Sequence, residues 1–119
     1  MTSYDEDQWL THFIWKYYSH LMNKSELKAM RVLRLQAKAE PLEEDRMRRP
    51  FERKISEALS DPKVQRLLRN GGAAFRRAAR DRVLSRHRWR IKLNRCPACH
   101  RIPRTPRAKQ CPWCLEQWR

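Results

Sequence analysis

The chain has 119 residues and a mass of 14.5 kDa, with 28 Lys+Arg against 13 Asp+Glu and a formal net charge of +15. That length supports one modest domain, or a small helical unit carrying a staple-dependent module, but not two full-sized cores. A hydrophobic content of 40% excludes a wholly disordered chain, and the only two glycines, Gly71 and Gly72, exclude Gly-rich phosphate loops, dinucleotide folds and nucleophile elbows.

The N-terminus is acidic (Asp5, Glu6, Asp7) where a secretory leader needs positive charge and an apolar run. No stretch approaches the roughly 18 apolar residues of a bilayer span. The expectation is a cytoplasmic, non-secreted protein with no membrane partner. Residues 5–22 read as a helix, with the three acids at the positive end of its dipole. Trp9, Phe13, Tyr17 and Leu21, beside Leu10, Ile14, Tyr18 and Met22, give one broad apolar face, which Trp15 lies off. Asn23 with Glu26 has the form of a capping box, Ser25 being a rival cap, and opens a second helix to about Glu40. Leu27, Met30, Val32, Leu33, Leu35 and Ala37 supply its apolar positions. The short connection suggests an antiparallel helix pair. Residues 42–49 are highly charged and form a short helical turn or a loop, and Pro50 suits the first position of a helix carrying Phe51, Ile55 and Leu59.

Asp61-Pro62 starts a further helix, with Val64, Leu67 and Leu68 facing inward and Asn70-Gly71-Gly72 ending it. The next helix, from about Ala73 to His87, sets Phe75, Ala79 and Val83 on one face. Trp89, Ile91 and Leu93 then alternate with Arg90, Lys92 and Asn94, which is strand spacing. The charge is uneven: residues 1–22 carry −2 and residues 71–119 carry +12.

The strand leads into Cys96-Pro-Ala-Cys99 and Cys111-Pro-Trp-Cys114, two CxxC pairs separated by eleven residues. Each CxxC turn can present two sulfurs to one metal, and two turns complete the tetrahedral four-thiolate set of structural Zn²⁺. A thioredoxin-like redox pair needs a βαβ context, a rubredoxin-like iron site a much longer spacer, and two disulfides an oxidising compartment. A closed set of Cys96, Cys99, Cys111 and Cys114 leaves no open coordination position. No other spacing assembles a nucleophile, base and orienter, so the chain is not expected to be an enzyme. His100, adjacent to Cys99, is poorly placed to add a fifth ligand.

Residues 95–114 resemble the short zinc-ribbon modules that form one half of a double zinc ribbon, whose pattern is CPxCG, about ten residues and CPxCG. The resemblance implies that the four cysteines bind structural zinc. It is confined to that segment and leaves the rest of the chain unassigned. The family has Gly after each second Cys, where φ is positive; here His100 and Leu115 stand instead. Leu tolerates that conformation poorly, so a distorted or differently turned second knuckle is expected.

The expected fold is therefore mainly α: a helical domain over 1–88, then a zinc-ribbon module over 89–119 with a short β-hairpin. Arg101, Arg104, Arg107 and Lys109 between the knuckles, with Arg76 and Arg80 on the preceding helix, are candidate contacts to nucleic-acid phosphates, DNA or RNA. The alternative is a protein-interaction adaptor, docking an acidic protein partner through the ribbon or the aromatic first helix, with Trp15 or Trp118 as anchors. Neither reading fixes the oligomeric state.

Overall fold

The computed structural model describes residues 4–118. Five α-helices follow in order: α1 (Glu6–Tyr17), α2 (Lys24–Ala39), α3 (Asp45–Leu59), α4 (Pro62–Leu68) and α5 (Gly72–His87). Short 3-10 turns lie at Ser19–Leu21 and Arg88–Arg90. No described helix is long and apolar enough to cross a membrane. The chain divides into two compact units, residues 22–75 on the one hand and residues 1–21 with 76–119 on the other. The boundary expected after residue 88 follows composition; compactness groups the chain differently and puts α1 in the same unit as the cysteines.

In the unit of residues 22–75, Asn23 and Glu26 form the capping box in full. The Glu26 amide donates to the Asn23 side chain at 2.8 Å, and the Asn23 amide donates to the Glu26 carboxylate at 2.9 Å. This reciprocal pairing satisfies two otherwise orphan donors of the first turn. Ala29, Met30, Val32, Leu35 and Ala39 are buried along α2, whereas Leu27 and Ala37 are exposed. Asp61 caps α4 through the Lys63 amide, with Pro62 in the first turn, and Val64 is fully buried. The helix expected to begin at Pro50 begins five residues earlier. Pro50 therefore sits inside α3, where it donates no backbone hydrogen bond. None of the α3 side chains is fully buried; Phe51, Ile55 and Leu59 are half-buried on one face. That narrow apolar stripe suffices for α3 to pack on α2 while its other faces remain charged.

In the other unit, Asp5 caps α1 by accepting from the amides of Asp7 and Gln8. The helix ends at Tyr17, not at residue 22, and tightens into the Ser19–Leu21 turn, whose Leu21 amide bonds the Tyr18 carbonyl at 3.0 Å. Phe13 and Ile14 are buried as expected, but so is Trp15, whose indole N–H donates to the Arg76 carbonyl at 3.1 Å. Ala79 and Val83 of α5 are buried, as their spacing predicts.

The expected strand over residues 89–94 and the β-hairpin are not formed: no strand exists among the described residues. Trp89 belongs to the Arg88–Arg90 turn. The Ile91 and Leu93 side chains are half-buried and Lys92 is exposed, as alternation requires. What a neighbouring strand would supply, however, comes from a side chain. The Tyr18 hydroxyl accepts from the Lys92 amide at 3.0 Å and donates to the Lys92 carbonyl at 3.3 Å. In the cysteine segment only Gln110 and Gln117 pair as an isolated antiparallel bridge, because most knuckle amides point at sulfur or back at their own turn. Prolines 97, 103, 106 and 112 donate nothing.

Candidate metal centre and basic surface

Each CxxC knuckle is built the same way. The amide of the first Cys donates to the carbonyl five residues on (Cys96 to Arg101 at 3.0 Å, Cys111 to Glu116 at 2.9 Å). The amide four residues on donates back to that Cys carbonyl (His100 to Cys96 at 2.8 Å, Leu115 to Cys111 at 3.0 Å). Inside the loop, amides point at sulfur: Ala98 and Cys99 at Cys96 Sγ (3.4 and 3.5 Å), Trp113 at Cys111 Sγ (3.4 Å). Closing so tight a turn requires the residue after the second Cys to adopt positive φ. His100 does so at 63° and Leu115 at 66°. The expected distortion of the second knuckle is therefore absent: Leu115 takes the glycine conformation, with its side chain 69% exposed.

The two knuckles converge. The four sulfurs of Cys96, Cys99, Cys111 and Cys114 all lie within 4.8 Å of one another, with Cys96–Cys114 and Cys99–Cys111 both at 3.5 Å. His100 lies outside this group and is exposed. Cys96 and Cys111 are fully buried, Cys99 partly, and Cys114 is exposed. Burial opposes ionisation of Cys96, but the amides of Cys99 and Ala98 and the Cys114 thiol outweigh it and bring the Cys96 thiol down to about 7. The Glu116 amide favours a Cys114 thiolate, yet burial and the three neighbouring thiols push it up to about 12. The Arg101 amide likewise favours ionisation of Cys99, and burial with the Cys111 and Cys96 thiols raises it. Crowding among the sulfurs thus raises the Cys99 and Cys114 thiols, and a cation bound among them would favour their thiolates. The cluster can hold one metal ion.

Asn94, which the alternation marks only as a polar position, ties this region together. It takes positive φ (57°) just before the first knuckle. Its amide donates to the carbonyls of Ala108 (2.8 Å) and Thr105 (3.4 Å), and its oxygen accepts from the Trp118 indole (3.3 Å). One side chain therefore ties the inter-knuckle loop to the C-terminal segment. The signal available was Asn's tolerance of the left-handed region.

The chain matches no family model, no curated protein and no solved structure. The zinc-ribbon resemblance accordingly rests on the cysteine spacing and on the convergence described above.

The N-terminal helix is fastened to the first knuckle. Arg95 grips the Glu6 carboxylate through both terminal nitrogens (2.9 and 3.2 Å) and donates to the His100 carbonyl at 2.8 Å. The Tyr4 hydroxyl accepts from the Ile102 amide at 3.1 Å and donates to Glu6 at 2.7 Å. Trp113 stands edge-on to Tyr4 and Trp9, at centroid distances of 5.1 and 5.7 Å. The Arg95 fork is the main reason that the Glu6 carboxyl lies below the ordinary glutamate value, against a smaller opposing effect of burial.

The candidate phosphate contacts separate into two kinds. Arg101, Arg104, Arg107 and Lys109 are exposed on the inter-knuckle loop, and Arg76 is exposed on α5. Arg80 is not available to a ligand. It is 8% exposed, and its guanidinium bonds the Asp7 carboxylate and carbonyl, Thr11 Oγ1 at 3.0 Å and Asp81 at 2.9 Å. It is therefore not a phosphate contact; it fastens α5 to the first turn of α1. Trp15 is buried and Trp118 is half-buried with its N–H bonded to Asn94, so neither adaptor anchor presents a free indole. Between Arg82 and Leu115 the sequence contains no Asp or Glu at all. The acids that reach this unit's cations, Glu6, Asp7 and Asp81, pair with Arg95 and Arg80.

Proposed function

We propose that the protein is a small non-catalytic zinc-ribbon factor whose inter-knuckle loop contacts nucleic-acid phosphates. Zinc is favoured as the metal by the donor set. Four thiolates around Zn²⁺, with bonds of about 2.3 Å, form a tetrahedron with edges of roughly 3.8 Å, and the cross-knuckle sulfurs stand at 3.5 Å. Closing those pairs as disulfides, at about 2.05 Å, would instead require the sulfurs to move well over 1 Å. With the coordination sphere filled by protein, such a metal holds the loop in shape and offers no position to a substrate.

The observation that carries the nucleic-acid reading is the acid-free stretch from Arg82 to Leu115 with Arg101, Arg104, Arg107 and Lys109 exposed on its inter-knuckle loop. An ordinary solvated surface intersperses both signs, and arginine forks match phosphate oxygens. Single-stranded and duplex oligonucleotides titrated across a salt series test it. Binding should weaken log-linearly with salt, and replacing Arg104 and Arg107 together by Ala should reduce the slope by about 2. Absent or salt-insensitive binding overturns the reading.

A further inference from the structure

Of the five tryptophans, three donate their indole N–H to an internal acceptor: Trp15 to Arg76, Trp113 to Ile102 and Trp118 to Asn94. Trp89 differs from all of them. It is 89% exposed, the most exposed of the large apolar side chains described, on the 3-10 turn Arg88–Arg90 that ends α5. Burial of an indole contributes more than that of any other side chain, so one left in water on an ordered turn has been withheld from the core. Its surroundings are cationic. The Arg88 guanidinium lies over the indole at 5.0 Å from the centroid, and Arg86, Arg90 and Lys92 are exposed within three residues on either side. No carboxylate occurs in the sequence around them.

We infer that Trp89 is a stacking platform for an unpaired base, making the ligand single-stranded nucleic acid, with Arg88 and Arg90 engaging the flanking phosphates. This deepens the phosphate-contact reading and rests on it. The chemistry follows from what the turn offers. A flat π-face accepts any base that is itself unstacked, and arginines on both sides of the ring meet the backbone of the same strand. A duplex covers its base faces and leaves the indole without a partner. A lipid surface also attracts Trp and Arg, but interfacial insertion needs an apolar face beside the ring. Here the chain neighbours are Arg88 and Arg90, and the next aliphatic residues after them, Ile91 and Leu93, are already half-buried.

The test uses the full-length metal-loaded protein and its Trp89→Ala and Trp89→Phe variants. Fluorescence anisotropy follows three labelled probes: oligothymidylate, a duplex of equal length and an oligothymidylate with abasic sites. Trp89→Ala should lower affinity for oligothymidylate about tenfold, in line with the loss of one base–aromatic stack. It should leave the duplex affinity and the salt slope unchanged, while Trp89→Phe recovers most of the loss. The wild-type protein should bind the abasic strand as Trp89→Ala binds the intact one. Because the side chain is exposed, circular dichroism of the variants should be unaltered. Equal oligothymidylate binding by Trp89→Ala and wild type, with the steep salt dependence retained, overturns the stacking role and leaves the phosphate reading standing. Absence of binding to all three probes overturns both. Trp89-dependent retention on phosphatidylserine vesicles without oligonucleotide binding overturns the inference in favour of a lipid surface.

Discussion

Arg80 and Arg104 are both arginines of the basic half, and their positions assign them opposite work. The Arg80 side chain is 9% exposed and meets Asp7, Thr11 and Asp81. Removing one partner of a fully buried ion pair costs about 3–5 kcal/mol. Here the two carboxylates are 52% and 63% exposed and rehydrate when the guanidinium leaves, which moves the cost toward that of a surface pair. The lost packing of the buried stem adds to it, so Arg80→Ala should destabilise the protein by about 2–3 kcal/mol. For a chain of this size that lowers Tm by about 10 °C. Arg104 is exposed on the inter-knuckle loop, so Arg104→Ala should move stability by no more than about 0.5 kcal/mol. Thermal melts and oligonucleotide titrations on the same preparations separate the two. Arg80→Ala should melt early yet bind with wild-type affinity where it is folded. Arg104→Ala should melt normally and lose one phosphate contact from the salt slope. An Arg80→Ala protein with unchanged Tm and weakened binding would falsify the assignment of Arg80 as an internal fastening.

Leu115 holds positive φ at 66°, a conformation worst for β-branched residues, so metal affinity should fall in the order Leu115→Gly, wild type, Leu115→Val. Competition with a chelator should place Val about 1 kcal/mol or more below Leu. Asn94→Ala removes three hydrogen bonds at a left-handed position and should cost about 2 kcal/mol in a denaturant melt, with Asn94→Gly retaining the backbone and losing only the bonds. The Glu6 carboxyl is held below its ordinary value of 4.5 by Arg95. Its contribution is therefore complete at neutral pH and disappears as pH falls below about 4.5. Glu6→Gln should lower Tm slightly at pH 7 and remove part of the acid-induced decline, and an unaltered acid limb would contradict the pairing.

Features carried by neighbouring residues were legible in the sequence. The Asn23–Glu26 box, the Asp61-Pro62 start and the Phe75, Ala79 and Val83 face are local patterns with local causes. So are the two CxxC turns, whose repetition implied a shared metal before any contact was known. What the sequence concealed depends on partners far along the chain. Trp15 lies off the main apolar face of α1 and is buried with its indole bonded to the Arg76 backbone. Arg80 reads as surface until Asp7 and Thr11 meet it from about seventy residues away. The alternation over residues 89–94 is real, but alternation records which side chains face inward, not what bonds the backbone; Tyr18 takes the place of a partner strand. Leu115 shows the converse. A poor residue for positive φ occupies it because the knuckle's hydrogen bonds and converging sulfurs fix the backbone there.

The central claim is that Cys96, Cys99, Cys111 and Cys114 form one tetrahedral four-thiolate zinc centre. Metal content per chain, measured together with thiol reactivity on protein purified without chelator, tests it most directly. The account predicts one zinc per chain and four thiols that become reactive only when a chelator removes the metal. Metal well below one per chain, with the thiols reactive from the outset, would contradict it.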